Sequence, residues 1–348
     1  MVRTIFWNSG KLPEGKTHQA RQRRWLRMSG IGFTVVLLAM VIAGRIYEFR
    51  AVKRDLHLYP PPGQVVIVGS HHLHLQCMGR GKPAVIFDSG AGGTSLDWRG
   101  IQHELTAETR VCAYDRAGFG WSDPGPSPRT SQRIVDELRI LLKNAEVAPP
   151  FILVGHSFGG LNMQLFAARY PDEVAGLVLV DSVHPQLYSR MPHELRQDLS
   201  GQLFALRLGK WLAPLGVPRL LFPPVATQRL PRNLQLAANA RGYGRHVYSA
   251  LYEEAIAFDT SCEQIRSAPS MLESMPLTLL TRSKPQRWPS KVPVETAERT
   301  WQDLQRDLAG LVPGSKHVVV ENAGHFIHID QPQAVVEAIK EQLQFARK

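Results

Sequence analysis

Phe151-Ile152-Leu153-Val154-Gly155-His156-Ser157-Phe158-Gly159-Gly160 reads as an apolar strand that runs into a G-x-S-x-G turn and then into a helix rich in Ala and Leu. A strand-to-helix elbow forces its central residue into a strained backbone conformation, and the small residues Gly155 and Gly159 meet its need for room. The strain lifts the Ser157 hydroxyl above the sheet. It also sets Oγ at a helix N-terminus, where backbone N–H groups and the helix dipole favour negative charge. A serine hydroxyl is a poor nucleophile until a base takes its proton, so one of the 13 histidines has to serve. Gly324-His325 follows the final strand-like run, Val318-Val319-Val320, through a small loop, and precedes an amphipathic helix starting near Gln333. Catalytic groups of open α/β sheets collect in such loops at the carboxyl ends of strands. His325 is therefore the expected base, with His328, placed where a packed polar residue is expected, as the alternative.

Working outward, short apolar runs alternate with amphipathic stretches from Gln64 onward, the pattern of a mostly parallel sheet flanked by helices. The runs fall at 64–68, 72–78, 84–88, 111–114, 151–154, 176–180, 277–281 and 317–320, which makes eight expected strands. The first two flank a tight Gly69-Ser70 turn and should pair antiparallel, whereas helical patterns such as 131–144 and 160–170 separate later ones. The spacing breaks once, between Val180 and Leu277. The inserted stretch carries many leucines and tyrosines cut into short pieces by prolines, which reads as a helical cap over 183–275. Such a cap is either a subdomain with its own core or a lid lining an apolar pocket.

Four motifs together resemble the α/β-hydrolase superfamily over roughly residues 64–348, and most of all its membrane-tethered or secreted serine hydrolases of esterase or lipase type. They are Phe87-Asp88-Ser89-Gly90-Ala91-Gly92-Gly93, similar to the oxyanion loop after the third strand; Tyr114-Asp115-Arg116-Ala117-Gly118-Phe119-Gly120-Trp121-Ser122, similar to the segment after the fourth; the Ser157 elbow; and Gly324-His325-Phe326. Ser89 stands where the family often has histidine, a departure that leaves the hole's backbone donors in place. The resemblance implies an eight-stranded, mostly parallel α/β-hydrolase sheet with a helical cap after strand 6. It also implies an oxyanion hole made by the N–H groups of Phe158 and Ala91, with Gly92 the near alternative to Ala91. The implied activity is acyl-enzyme hydrolysis of a carboxylic ester or related acyl compound, with a small-molecule acyl or lipid-like substrate and no cofactor. In this superfamily dehalogenase and epoxide-hydrolase chemistry goes with an aspartate elbow, so the serine argues against both. A peptidase or carbon-carbon bond hydrolase on the same residues, and a non-catalytic membrane-tethered binding protein, remain the competing readings.

The acid that orients the histidine is the open position. The family usually supplies it after the seventh strand, yet residues 279–287 hold no carboxylate. Asp181, at the end of the sixth strand, is the expected acid, and Glu298 and Asp303 are the alternatives. Asp115 is expected to fix its own loop by an ion pair or backbone hydrogen bonds. His71, His72 and His74 cluster without a third ligand at suitable spacing on one strand face, so no metal site is expected. Cys77, Cys112 and Cys262 are too few for a disulfide scaffold and have no metal-type spacing.

The formal net charge is +11, but residues 1–58 hold eleven basic and three acidic side chains, which leaves only +3 on the rest. The positive charge flanks one apolar segment and is not spread over a groove, which argues against a nucleic-acid partner. That segment, 28–44, is MSGIGFTVVLLAMVIAG, seventeen uncharged residues between Trp25 and Tyr47. As a helix at ~1.5 Å per residue it covers about 26 Å, near the ~30 Å hydrocarbon core. The aromatic flanks fit an interfacial belt and Arg27 and Arg45 can snorkel. The expected order is therefore a basic cytoplasmic tail (1–27), a single membrane anchor (28–44), a juxtamembrane linker (45–63) that ends on the stiff Tyr59-Pro60-Pro61-Pro62-Gly63, and a hydrolase core (64–182 and 276–348) interrupted by the cap. The alternative is a signal peptide cleaved after Ala43. The excess of basic residues before the span puts the N-terminus in the cytoplasm and the catalytic domain outside it. An uncleaved anchor predicts that the full chain stays in the membrane pellet through high-salt and alkaline carbonate washes; release as a species beginning near Gly44 would identify a signal peptide.

Overall fold

In a computed structural model of the chain, which describes residues 14–221, 229–268 and 275–348, eight strands form one sheet. They are β1 (Gln64–Val68), β2 (His71–Met78), β3 (Ala84–Asp88), β4 (Val111–Tyr114), β5 (Phe151–His156), β6 (Val174–Val180), β7 (Leu277–Arg282) and β8 (Lys316–Val320), in the order β1-β2-β4-β3-β5-β6-β7-β8. β1 pairs antiparallel with β2, and β2 with β4; every other neighbouring pair is parallel. Each strand lies where an apolar run predicts it, and β2, β5, β6, β7 and β8 extend one or two residues further. β3, β4, β5 and β7 are buried along their whole length, as expected for strands covered on both faces.

The helices are α1 (Glu14–Leu58), α2 (Arg99–Leu105), α3 (Ser131–Asn144) and α4 (Phe158–Arg169); then α5 (Leu187–Arg190), α6 (His193–Leu212), α7 (Val217–Leu221), α8 (Arg232–Gly242), α9 (Arg245–Ile256) and α10 (Phe258–Arg266), all between β6 and β7; and finally α11 (Val294–Ala309), α12 (Ile327–Asp330) and α13 (Pro332–Ala346). The stretch after β6 is thus a helical insertion; its residues 222–228 and 269–274, like residues 1–13 of the basic tail, lie outside the described residues. The period-2 alternation of the strands divides the core into two layers. Ile86, Leu153, Leu177 and Leu279 meet Val135, Leu138 and Leu141 of α3 and Leu165 and Phe166 of α4. Val85, Phe87, Ile152, Val154 and Val178 meet Ile101 and Leu105 of α2 and Val335, Val336 and Ile339 of α13. Thr130 caps α3 by accepting a hydrogen bond from the Arg133 amide through its hydroxyl, which satisfies an amide that has no intrahelical partner.

α1 departs from the expected organisation. Residues 45–58, expected as a linker, continue the helix without a break, because they hold neither Gly nor Pro and the first stop signal is Pro60-Pro61-Pro62. Residues 28–43 are exposed on all sides, and the helix is long and apolar enough to cross a membrane. Beyond them Glu48, Ala51 and Asp55 are buried against the rest of the protein.

Cys77 and Cys112 face each other across β2 and β4 and form a disulfide, while Cys262 is a buried free thiol. The bond ties the antiparallel edge to the parallel sheet and closes a 35-residue separation. Replacing both cysteines by alanine should cost roughly 2–4 kcal/mol of stability, mainly by freeing the unfolded chain. A lowered midpoint in urea unfolding, with secondary structure unchanged in dilute buffer, is the expected result.

Candidate active site

Ser157 stands between β5 and α4 with φ 51° and ψ −118°, a left-handed conformation that costs a non-glycine residue energy. The surroundings hold it there. A Cβ on Gly155 would lie 2.5 Å from the Gly160 Cα, and one on Gly159 would lie 2.4 Å from the Asp88 carbonyl oxygen. Only hydrogen at these two positions lets strand, helix and neighbouring β3 close on each other. The Ser157 amide donates to the Val180 carbonyl at 3.2 Å, which fastens the elbow to the end of β6.

The structure brings Ser157, His325 and Asp181 together. The Ser157 hydroxyl donates to His325 Nε2 at 3.1 Å, and His325 Nδ1 donates to Asp181 Oδ2 at 2.6 Å. The three residues come from the carboxyl ends of β5, β8 and β6. Since β8 is the edge strand, the His325 loop has to reach back across β7, and three hydrogen bonds hold it in that position. The Gly324 amide donates to Asp330 Oδ2 (2.8 Å), the Lys284 amide to the Ala323 carbonyl (2.9 Å), and His156 Nε2 to the His325 carbonyl (2.8 Å).

Asp181 is fully buried and has a positive φ of 42°. Burial alone would raise its carboxyl pKa, but the hydrogen bond and charge of His325, the Arg282 guanidinium and the Trp301 indole outweigh it and hold the pKa below the ordinary value. Arg282 Nη1 donates to Asp181 Oδ2 at 2.9 Å and Trp301 Nε1 to Oδ1 at 3.0 Å. The carboxylate therefore stays ionised and cannot rotate away from the histidine. Arg282 and Trp301 were not expected from sequence; the one visible signal is an arginine closing the otherwise uncharged run Leu277-Thr278-Leu279-Leu280-Thr281.

The other carboxylates lie elsewhere. Glu298 binds Arg282 Nη2 and the Trp288 indole N–H, so it braces the arginine from the far side and does not touch His325. Asp303 pairs with Arg306 on the surface of α11. His328 is buried, its ring stacked on Trp98 at 4.6 Å, and neither of its nitrogens has a hydrogen-bond partner among the described residues. Burial, reinforced by the nearby His325, pushes its pKa down to about 3. Burial also drives the His156 imidazole well below its ordinary value, with His328 and His325 adding to the effect. Both rings stay neutral; His156 anchors the His325 carbonyl through Nε2, and His328 packs against Trp98 and His156.

Phe158 is the first residue of α4, so its amide has no carbonyl a turn earlier within the helix to bond. Ala91 follows Gly90, where an added Cβ would lie 3.2 Å from the Ser157 Cβ, so the Gly-rich loop runs directly beside Ser157. The carbonyls of Ser89 and Gly90 accept from the Arg116 guanidinium, at 2.5 and 2.9 Å. Arg116 is buried, and it also binds Asp88 at 2.7 Å and Glu254 of α9 at 2.8 Å, which ties core, loop and cap at one point. Asp115 accepts from the amides of Ser95 and Trp121 and pairs with His74, which fixes its loop. His72 pairs with Asp123 instead of with its neighbours. Among the described residues no group of three His, Cys, Asp or Glu is arranged to hold a metal ion.

A strained serine at a helix N-terminus, a histidine within reach of its proton, a buried carboxylate behind the histidine and, at the start of α4, an amide with no intrahelical partner make an arrangement suited to acyl transfer. The alpha/beta hydrolase family model matches residues 85–338, and the chain belongs to that family. An uncharacterized protein of Schizosaccharomyces pombe is 28% identical over 295 residues, which are 76% of this chain and 52% of that protein. The chain thus spans about half the length of that relative. Among solved structures, a thermophilic esterase from Thermogutta terrifontis superposes with a TM-score of 0.56 at 20% identity, covering 82% of this chain and 99% of the esterase. An epoxide hydrolase from Bacillus megaterium gives 0.59 at 18% identity, covering 81% of this chain and all of the other. At these identities the two structures share the fold.

Arg282 sits fully buried between Asp181 and Glu298. Arg282→Met should destabilise the protein by about 3–5 kcal/mol, because it leaves two carboxylates without their cation in a low-dielectric setting. The drop in thermal or urea stability should exceed that of the surface variant Arg306→Met, whose partner Asp303 stays in water.

Proposed function

We propose that the protein is a serine hydrolase that cleaves a carboxylic ester or related acyl compound, is tethered by α1 and needs no cofactor. The observation that carries this reading is the continuous hydrogen-bonded path from Ser157 Oγ through the His325 imidazole to Asp181. In the proposed cycle His325 Nε2 takes the hydroxyl proton as Oγ attacks the acyl carbon. The developing oxyanion accepts hydrogen bonds from the amides of Phe158 and Ala91. The imidazolium then gives its proton to the leaving alcohol oxygen, which departs and leaves an acyl-Ser157. Water, deprotonated by the same imidazole, releases the acid and restores the serine. Asp181 holds Nδ1 protonated throughout, which directs the lone pair of Nε2 at the hydroxyl, and stabilises the imidazolium while it exists. The pre-set amides need no rearrangement when charge builds on the oxygen, which is why they lower the barrier.

The substrate in this reading is a small acyl compound or a lipid-like one. The anchor is segment 28–44 of α1, with the N-terminus in the cytoplasm and the catalytic domain outside. The Cys77–Cys112 disulfide supports that side, since such bonds persist in oxidising compartments.

A fluorophosphonate probe should label the wild type and fail on folded Ser157→Ala, which should also lose p-nitrophenyl ester hydrolysis. Turnover retained by the folded Ser157→Ala protein would overturn the assignment. Asp181→Asn should lower kcat by roughly 10⁴-fold, as the same exchange does in a serine protease where the amide favours the wrong tautomer, whereas Glu298→Gln should act far less because it reaches Asp181 only through Arg282.

A further inference from the structure

The cap does not sit free above the sheet. It is fastened to α1 just beyond the apolar segment. A Cβ on Gly44, the last residue of that segment, would lie 2.7 Å from the Leu215 carbonyl oxygen, and one on Gly216 would touch the Tyr47 ring. One turn further along, Arg219 of α7 donates to both Glu48 oxygens and to Asp55 of α1, at 3.0, 3.2 and 2.5 Å, and all three side chains are more than nine-tenths buried. A buried cation held by two carboxylates resists separation, because pulling the helix away would leave charges unpaired in an apolar setting. The cap residues 213–221 are thereby held at the level where the helix would leave a bilayer.

α6 ends at that same place, running straight into residues 213–215. Its first half carries Glu194, Arg196, Gln197 and Asp198. In its second half Phe204, Leu208 and Trp211, spaced four and three residues apart, share one face and are 69, 46 and 72% exposed. The opposite face is occupied, since Gly209 packs on the Tyr248 ring of α9. Leu220 and Leu221 of α7, 65 and 63% exposed, continue the apolar surface. Arg207 flanks it, and the Arg245 guanidinium lies 5.9 Å from the Trp211 ring. A large apolar surface with a tryptophan and basic residues at its border has the composition of a membrane-interface element. Its confinement to the half of the helix beside Gly44 decides between a bilayer and an ordinary solvated face, because a solvated helix has no reason to be polar at one end and apolar only at the end next to the anchor.

We infer that the cap is itself a membrane-interface element: Phe204, Leu208, Trp211, Leu220 and Leu221 dip into the outer leaflet beside α1, and the site takes its acyl ester from that leaflet. The inference rests on α1 spanning the membrane and, for the substrate class, on the Ser157 reading. The ion-paired joint sets the depth, and the apolar face supplies the contact.

The test uses the full chain reconstituted in phosphatidylcholine vesicles containing phosphatidylserine. Phe204→Cys and Trp211→Cys are labelled singly with an environment-sensitive fluorophore, with Val319→Cys on edge strand β8 as the comparison. Labels at 204 and 211 should shift to the blue, be quenched by brominated lipid and be shielded from aqueous iodide, and the label at 319 should do the reverse. Labels at 204 and 211 that iodide reaches as readily as the label at 319 would overturn the inference. Labels shielded from iodide but untouched by brominated lipid would also overturn it, since a second copy of the chain would then cover the patch. As a second measurement, the variant Phe204→Ser/Leu208→Ser/Trp211→Ser should raise KM for a long-chain ester embedded in the vesicles about tenfold or more, with kcat/KM on a soluble short-chain ester unchanged. An unchanged KM, or an equal loss on both substrates, would overturn the leaflet-derived substrate. Absence of any hydrolysis by the wild type would count against the Ser157 reading alone, because the quenching results do not depend on turnover.

Discussion

The positive φ of Ser157 is the constraint around which the hydrolase core is arranged. That conformation persists only if β5, α4 and the end of β3 approach more closely than side chains permit, so two glycines bring backbone into contact with backbone. From this contact follow the exposure of the hydroxyl, an amide at the start of α4 with no carbonyl a turn earlier to bond, and the closeness of the Gly-rich loop after β3. Beneath the elbow a chain of buried polar groups is linked by hydrogen bonds. Asp88 links Arg116 to Asn162 of α4, and Asn162 accepts from Ser131 at the start of α3. The strain at one residue is held by packing and hydrogen bonds contributed by four elements.

Electrostatic order extends the same logic to the acid and the cap. In the row Glu298, Arg282, Asp181, His325, the two inner charges, Arg282 and Asp181, each have a partner on both sides, and the row is buried except at its ends. An ionised carboxylate can remain beneath the histidine only because the arginine compensates its loss of water, and the arginine in turn requires the second carboxylate. Arg116 does similar work on the other side of the site, where Asp88 in the core and Glu254 in the cap share one guanidinium. A third buried arginine, Arg219, joins cap to α1. Each of the three joins separate parts of the chain by charge at a place where apolar packing would have allowed sliding.

Residues 45–58 show how a local reading and the folded chain part company. By composition the stretch is a charged spacer between membrane and domain. In the structure Glu48 and Asp55, seven residues apart and so on one helix face, turn that spacer into a docking surface for the cap. The charges count as solvated only until Arg219, more than 160 residues away, covers them.

The strands, the elbow, the two-sided burial of the central sheet and the helical insertion were all legible in the sequence, because each depends on residues near one another in the chain: period-2 runs, a glycine-bounded serine, a gap without strands. His325 was legible for the same reason, sitting just past the last strand-like run. What the sequence left open was the partner behind it. Asp181 follows β6 while Glu298 and Asp303 lie in α11, the helix after β7, and composition does not distinguish them. Only the lateral order β6-β7-β8 puts Asp181 beneath His325, sends Glu298 to the far side of Arg282 and leaves Asp303 in water. The roles of Arg282, Trp301, Arg116 and Arg219 belong to the tertiary structure as well, since a buried charge is defined by the groups that surround it, and those groups come from parts of the chain that no local pattern connects.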